Sequence, residues 1–225
     1  MRKRVKAIIF DLDNTLIDFM KMKRMASEAA ISAMIDAGLK IERKKAIETL
    51  WSYYEKLGIE HQKVFQYFLK EVMGRIDPKI LAAGVVGYRK VKEAFLEPYP
   101  NVLPTLIALI KRGFKLGIIT DAPRFQAWSR LCGMKLQHFF DVIITSDDAK
   151  AKKPSQLPFK AAIKKLGLKP NEIMMIGDSM KKDIIPAKRM GMVTVLAKYG
   201  EFKREKIEER PDFEVEDISQ ILKIV

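Results

Sequence analysis

The sequence predicts an α/β protein: a doubly wound parallel sheet, Rossmann-like in its core, carrying an inserted bundle of four helices. Three observations predict it. Five runs rich in Ile and Val, VKAIIF (5–10), KLGIIT (115–120), DVIIT (141–145), EIMMIG (172–177) and VTVLA (193–197), have strand length and are mostly bounded by Gly, Asp or Pro. From the second run onward they alternate with segments whose apolar residues recur at helical spacing. Between the first and second runs lie about a hundred residues with no convincing strand, far more than the dozen or so that one crossover needs.

Taken in order, VKAIIF is continuously apolar rather than alternating, as expected of a parallel strand covered on both faces. The long interval then holds KMKRMASEAAISAMIDAG (21–38), ERKKAIETLWSYYEKLG (42–58), EHQKVFQYFLKEVMG (60–74) and PKILAAGVVGYRKVKEAF (78–95), each apolar at i, i+3, i+4 and i+7. Four such helices make a small bundle, so residues 17–94 are expected to form an insert and residues 1–16 and 95–225 the α/β part. The chain leaves the insert through EPYPN, and NVLPTLIALIKRG (101–113) is the helix that returns it to the sheet. The later helices, PRFQAWSRLCG, LPFKAAIKKLG and KDIIPAKRMG, each stop at a glycine, with Pro186 expected in the first turns of the last. RPDFEVEDISQILKIV reads as a short strand and helix finishing the sheet's edge, its acids a solvated face.

Composition narrows the function. The net charge of +14 is scattered over RKR (2–4), KMKR (21–24), ERKK (42–45), the lysines near 153, KK (181–182) and KREK (203–206). Several of these runs sit beside acids on faces that read as solvated, Lys21, Lys23 and Arg24 among them, and no nucleic-acid-binding signature accompanies them. A field that attracts small anions is the reading, not a nucleic-acid surface. Cys132 is the only cysteine, which excludes an intramolecular disulfide and a cysteine-built zinc site; in WSRLCGM it reads as a small buried apolar residue. No run approaches the roughly 20 apolar residues of a membrane span. A cytoplasmic monomer or homodimer is expected, the basic field would suit a small phosphorylated substrate, and His61 and His138 show no metal-ligand spacing.

The strand ends carry the chemistry. The first run ends in Asp11 and Asp13, the second in Thr120 and Asp121, the third is followed by SDDAKAKKP, and the fourth by Asp178 with Asp183 five residues on. In a doubly wound sheet these positions converge where the strand order reverses. Carboxylates gathered there repel one another unless a proton or cation intervenes, and oxygen ligands without His or Cys select a hard ion, Mg²⁺ in preference to zinc. For any single Asp among them the N-cap or turn reading is the stronger; for the set at successive strand ends it is the weaker.

DLDNT (11–15), the IIT ending in Thr120, Lys153 before Pro154, and GDSMKKD (177–183) resemble, in order and spacing, the four motifs of the haloacid dehalogenase-like hydrolase superfamily, and the helical insert resembles that family's cap. The resemblance implies a Mg²⁺-dependent phosphatase. Asp11 would attack phosphorus and bind Mg²⁺; Asp13 would protonate the leaving alkoxide, then activate water, its carbonyl also binding Mg²⁺. Asp178 would complete the metal ligands, with Asp183 a partner just beyond them. Thr120, Asp121 and Lys153 would border the phosphate, Thr120 and Lys153 holding the oxygens in flight. Two departures stand out: KPSQLPF where the family often has KPDP, and Asp121 where Asn is common, adding negative charge near the phosphate.

Phosphoryl transfer by itself asks for this allocation: charge neutralisation on the equatorial oxygens, a carboxylate nucleophile, and an acid–base standing back from phosphorus. Candidate substrates are phosphoglycolate and glyceraldehyde 3-phosphate. On the same fold a 2-haloacid dehalogenase is argued against by Asp13, and a sugar phosphomutase stays open. A receiver domain leaves no place for the insert. An inactive binding protein would be expected to have lost a motif residue, and all are present.

Overall fold

The computed structural model describes residues 5–200 and 209–225; the basic runs read at 2–4 and 203–206 lie outside them. Two compact units emerge, Met20–Leu96 and the remainder. The remainder is built on six strands, β1 (Ala7–Phe10), β2 (Lys115–Ile119), β3 (Val142–Ile144), β4 (Ile173–Gly177), β5 (Val193–Ala197) and β6 (Phe213–Val215), in the order β3-β2-β1-β4-β5-β6, every pair parallel. β1 is central because its four residues are all fully buried and apolar, so no face of it tolerates water. Alternate residues serve opposite faces: Ala7 and Ile9 join Phe159, Ala162, Met175 and Ala187 in one core cluster, while Ile8 and Phe10 are buried on the other face. At roughly 1.5–3 kcal/mol for each large apolar side chain buried, this core drives formation of the unit.

Strand order decides where a site can form. From β1 the chain proceeds to β2 and β3 on one side, whereas β4, β5 and β6 follow on the other. The reversal falls between β1 and β4, and connections leaving their carboxyl ends diverge to open a crevice there.

In the helical unit, α1 (Phe19–Asp36), α2 (Arg43–Leu57), α3 (Val64–Met73) and α4 (Pro78–Ala94) follow the expected periodicity. Glu42 and Asp77 cap α2 and α4 by accepting two backbone N–H bonds each, with Pro78 opening α4. Leu50, Phe68, Leu69, Ile31 and Met34 form a fully buried core. Residues up to Phe19 stay with the sheet because Ile17 bridges Pro98 and Tyr99 N donates to Leu16 O at 2.9 Å.

Beyond the sheet come α5 (Val102–Lys111), α6 (Arg124–Gly133), α7 (Ser146–Ala149), α8 (Gln156–Leu166) and α9 (Ile185–Arg189). Several expectations are corrected. Cys132 is exposed, because α6 turns Ala127, Arg130 and Leu131 inward and so turns Cys132 out. Lys23 is not solvated: its Nζ donates to Tyr88 Oη at 3.0 Å and lies 4.2 Å from the centroid of the Tyr54 ring, so its charge faces aromatic surfaces instead of water. KDIIPAKRMG is not one α-helix; a π turn over Met180–Ile184 precedes α9, with Pro186 in the first turn of the latter. The final helix, Ile218–Lys223, is of the 3₁₀ type. Asp212 is exposed as read, and it also accepts from both Thr194 N and Thr194 Oγ1 at 2.9 Å, which ties the terminal segment to β5.

Phe68→Ala is expected to cost about 3–5 kcal/mol, because a fully buried aromatic leaves a cavity that surrounding helices cannot fill; urea denaturation followed by circular dichroism reads this as a lower midpoint.

Candidate active site

Asp11 follows β1 directly, and its N–H donates to Ile176 O at 2.8 Å, so the ladder to β4 runs one residue past the strand. This holds the Asp11 carboxylate beside the residues that leave β4. There Asp178 follows Gly177, and Ser179 N donates to Asp183 Oδ2 at 3.0 Å, bending the π turn back so that Asp183 points under the strand end. One carboxylate oxygen each from Asp11, Asp178 and Asp183 then lies within 4.8 Å of the other two. Gly177 permits this: a Cβ there would stand 2.4 Å from Asp183 Cγ, so any side chain would expel the carboxylate.

Lys153 enters this cluster from the segment before α8. Its Nζ is 2.7 Å from Asp11 Oδ1 and 2.6 Å from Asp183 Oδ1, and donates to Ile119 O at 3.2 Å, giving each ammonium proton an acceptor. The main chain is fixed as well, since Lys153 N donates to Asp121 Oδ1 at 2.7 Å. Lys182 Nζ lies 3.4 Å from the other Asp121 oxygen. Asp121 thus grips the lysine's own backbone. Thr120 is buried at the end of β2, next to the residue whose carbonyl receives Lys153, and its hydroxyl accepts from Ala122 N at 3.1 Å.

Asp13 has a different cation. Its Oδ2 is 3.0 Å from Nη1 of Arg130, which reaches in from the buried face of α6. The turn carrying Asp13 is closed by Asn14 N donating to Ile17 O at 2.7 Å and by the bridge between Asp13 and Ile17. Gly200 presses on this turn, where a Cβ would overlap Asn14 O at 1.6 Å. Sequence reasoning brings Asp11, Lys153, Asp178 and Asp183 together but passes over Arg130, Gly177 and Gly200. The available signal for Arg130 is its place on the apolar face of α6, in phase with Ala127 and Leu131.

The charges do not balance without help. Burial works against the Lys153 ammonium, yet the Asp11, Asp183 and Asp121 carboxylates outweigh it and hold the amine protonated above its ordinary range. One ammonium cannot satisfy three carboxylates, and Asp178 is pushed up by burial and then by Asp11 and Asp183, with Lys153 opposing. Asp183 is also raised, by burial and by Asp11, against the attraction of Lys153. A close set of carboxylate oxygens with surplus negative charge, and no His or Cys in the set, fits a hard divalent cation.

A family model described as haloacid dehalogenase-like hydrolase matches residues 8–197. A glyceraldehyde 3-phosphate phosphatase of Methanocaldococcus jannaschii is 38% identical over 221 residues, covering 98% of this chain and 97% of its own. A second protein of that name, from Pyrococcus furiosus, is 35% identical over 225 residues, covering 99% and 94%. Among solved structures, a HAD phosphatase from Thermococcus onnurineus superposes with a TM-score of 0.67 at 28% identity, over 98% of this chain and 97% of that one.

The raised Asp178 pKa makes the metal-free folded chain bind more protons than the unfolded chain above the ordinary carboxylate range. Its stability therefore falls as pH rises through that range toward the folded value, and a bound cation offsets this loss. Thermal unfolding is expected to show a larger rise in Tm on adding Mg²⁺ at pH 8 than at pH 5, with Asp178→Asn levelling the difference.

Proposed function

Since the chain belongs to the haloacid dehalogenase-like hydrolases, we propose that it is a phosphatase cleaving a small phosphate monoester through an aspartyl-phosphate on Asp11. The observation that carries the reading is the contact of Lys153 Nζ with Asp11 Oδ1 at 2.7 Å, beside a carboxylate cluster, while Asp13 is held apart by another cation. The ammonium stands against Asp11 and offers positive charge where phosphoryl oxygens would gather.

In the first step an Asp11 oxygen attacks phosphorus in line, the bond from phosphorus to the ester oxygen breaks, and the Asp13 carboxyl gives its proton to the departing alkoxide. In the second, the Asp13 carboxylate takes a proton from water as the water oxygen attacks phosphorus. The bond between Asp11 and phosphorus breaks, and inorganic phosphate leaves. Thr120 and Lys153 hold the phosphoryl oxygens through both steps, and Asp121 keeps Lys153 in register through its main-chain amide. Mg²⁺ would be held by the Asp11 and Asp178 carboxylates and the Asp13 carbonyl, with Asp183 just beyond, and would supply neutralising charge to the phosphoryl group.

The four-helix unit is assigned the role of a cap that selects the alcohol portion, because the residues at the strand ends recognise only phosphate and cation. Glyceraldehyde 3-phosphate is the favoured substrate, supported by two relatives of that name above 30% identity over nearly the whole chain. Phosphoglycolate is the other candidate. Asp13 speaks against dehalogenation, a reaction with no alkoxide to protonate. Among the described residues no helix is long and apolar enough to cross a membrane.

Phosphate release from a panel containing glyceraldehyde 3-phosphate and phosphoglycolate, with Mg²⁺ or with EDTA, tests the reading. Activity is expected to require Mg²⁺ and to fall by at least ~10³-fold in Asp11→Asn. Survival of activity under both changes would overturn the mechanism.

A further inference from the structure

The geometry points to Arg130 as the positioning residue of Asp13, fixing the orientation in which that carboxyl exchanges its proton with the leaving group and then with water. The inference rests on the role proposed above for Asp13. Arg130 is 3% exposed and occupies a position on α6 that its neighbours Ala127 and Leu131 mark as apolar. A guanidinium is kept out of water only where something holds it. Here two groups do: Asp13 Oδ2, 3.0 Å from Nη1, and the ring of buried Phe19, whose centroid is 4.4 Å from the guanidinium carbon.

Those two groups bracket the turn after β1. Asp13 bridges Ile17, Ile17 bridges Pro98, and Phe19 N donates to Ile17 O at 2.9 Å. Arg130 therefore grips both ends of the segment that carries the acid–base, from a rigid helix rather than from the turn itself. Gripping Oδ2 sets the plane of the carboxyl group and so the direction in which Oδ1 projects. Lys153 cannot do this, because its three donors are directed at Asp11, Asp183 and Ile119 O. Two buried cations thus divide the acids by task, one serving the nucleophile and one the proton carrier.

A purely structural ion pair would lower all activities together, whereas positioning of an acid matters only when the leaving group needs its proton. The test compares kcat/KM, which reports on steps through leaving-group departure, for glyceraldehyde 3-phosphate and for 4-nitrophenyl phosphate, whose phenolate departs without protonation. In Arg130→Gln the ratio of alkyl to aryl kcat/KM is expected to fall on the order of 10–100-fold. In Arg130→Lys, which keeps the charge and much of the stem and serves if the Gln variant fails to fold, it falls by a smaller factor in the same direction. Adding Arg130→Gln to Asp13→Asn is expected to leave the Asp13→Asn ratio unchanged, since both act on one group. A wild-type ratio in both single variants, or an equal fall in the Asp13→Asn background, would overturn the inference. Failure of the underlying reading looks different: wild type releases no phosphate, or Asp11→Asn keeps its activity.

Discussion

The arrangement depends on one buried ammonium. Lys153 stands between Asp11 and Asp183 at the point where the sheet reverses its strand order, and without it three buried or half-buried carboxyl groups would face one another with no cation among them. The surrounding structure serves to hold that ammonium in place. Asp121 takes the lysine's amide, Ile119 takes one of its protons through a carbonyl, and Gly177 makes room for the second carboxylate. Asp121 stands where Asn is common in the family, yet its placement gives it a structural use: a carboxylate accepts the Lys153 amide at one oxygen and faces Lys182 with the other. Its negative charge is then directed at the lysine-bearing segment, and the expectation of added charge at the phosphate is narrowed accordingly.

The lysine satisfies only part of the cluster's charge, and that incompleteness is what makes the site receptive. Full neutralisation by protein groups would leave a stable but inert ion-pair network, as buried salt bridges often are. A deficit of positive charge, expressed in the raised Asp178 and Asp183 pKa values, is an affinity for cations and for whatever anion arrives with them. Placing Asp13 two residues beyond Asp11, on a turn where Arg130 meets it, keeps this carboxylate apart from that imbalance.

Much of this is legible in the amino-acid sequence. β5 has the bounds read for it, and the other four runs contain their strands to within two residues, because a strand covered on both faces must be apolar throughout and ends where a polar group reaches water. The site acids are legible because no core strand tolerates them except at its end. What escapes is whatever depends on packing between distant segments. Arg130 falls on the inward face of α6 by periodicity, but a helix pattern shows only which positions face inward and not that a charge there has a partner on another element. Lys23 is missed likewise, its aromatic neighbours Tyr54 and Tyr88 being 31 and 65 residues away. Cys132 is misread because its apolar flanks in sequence are not its flanks on the helix.

The strand order also imposes a timetable on synthesis. β1 is made well before its partners, since β2 begins at Lys115 and β4 only at Ile173, so the central strand of the sheet waits for about a hundred residues of synthesis before it has a neighbour. The helical unit, Met20–Leu96, is complete in sequence before β2 is reached. Until residue 177 is made, AIIF is an apolar, incompletely paired strand followed by the helical segment. For that interval the nascent chain depends on brevity, four strand residues flanked by lysine and aspartate, to keep this apolar segment from pairing with a stranger.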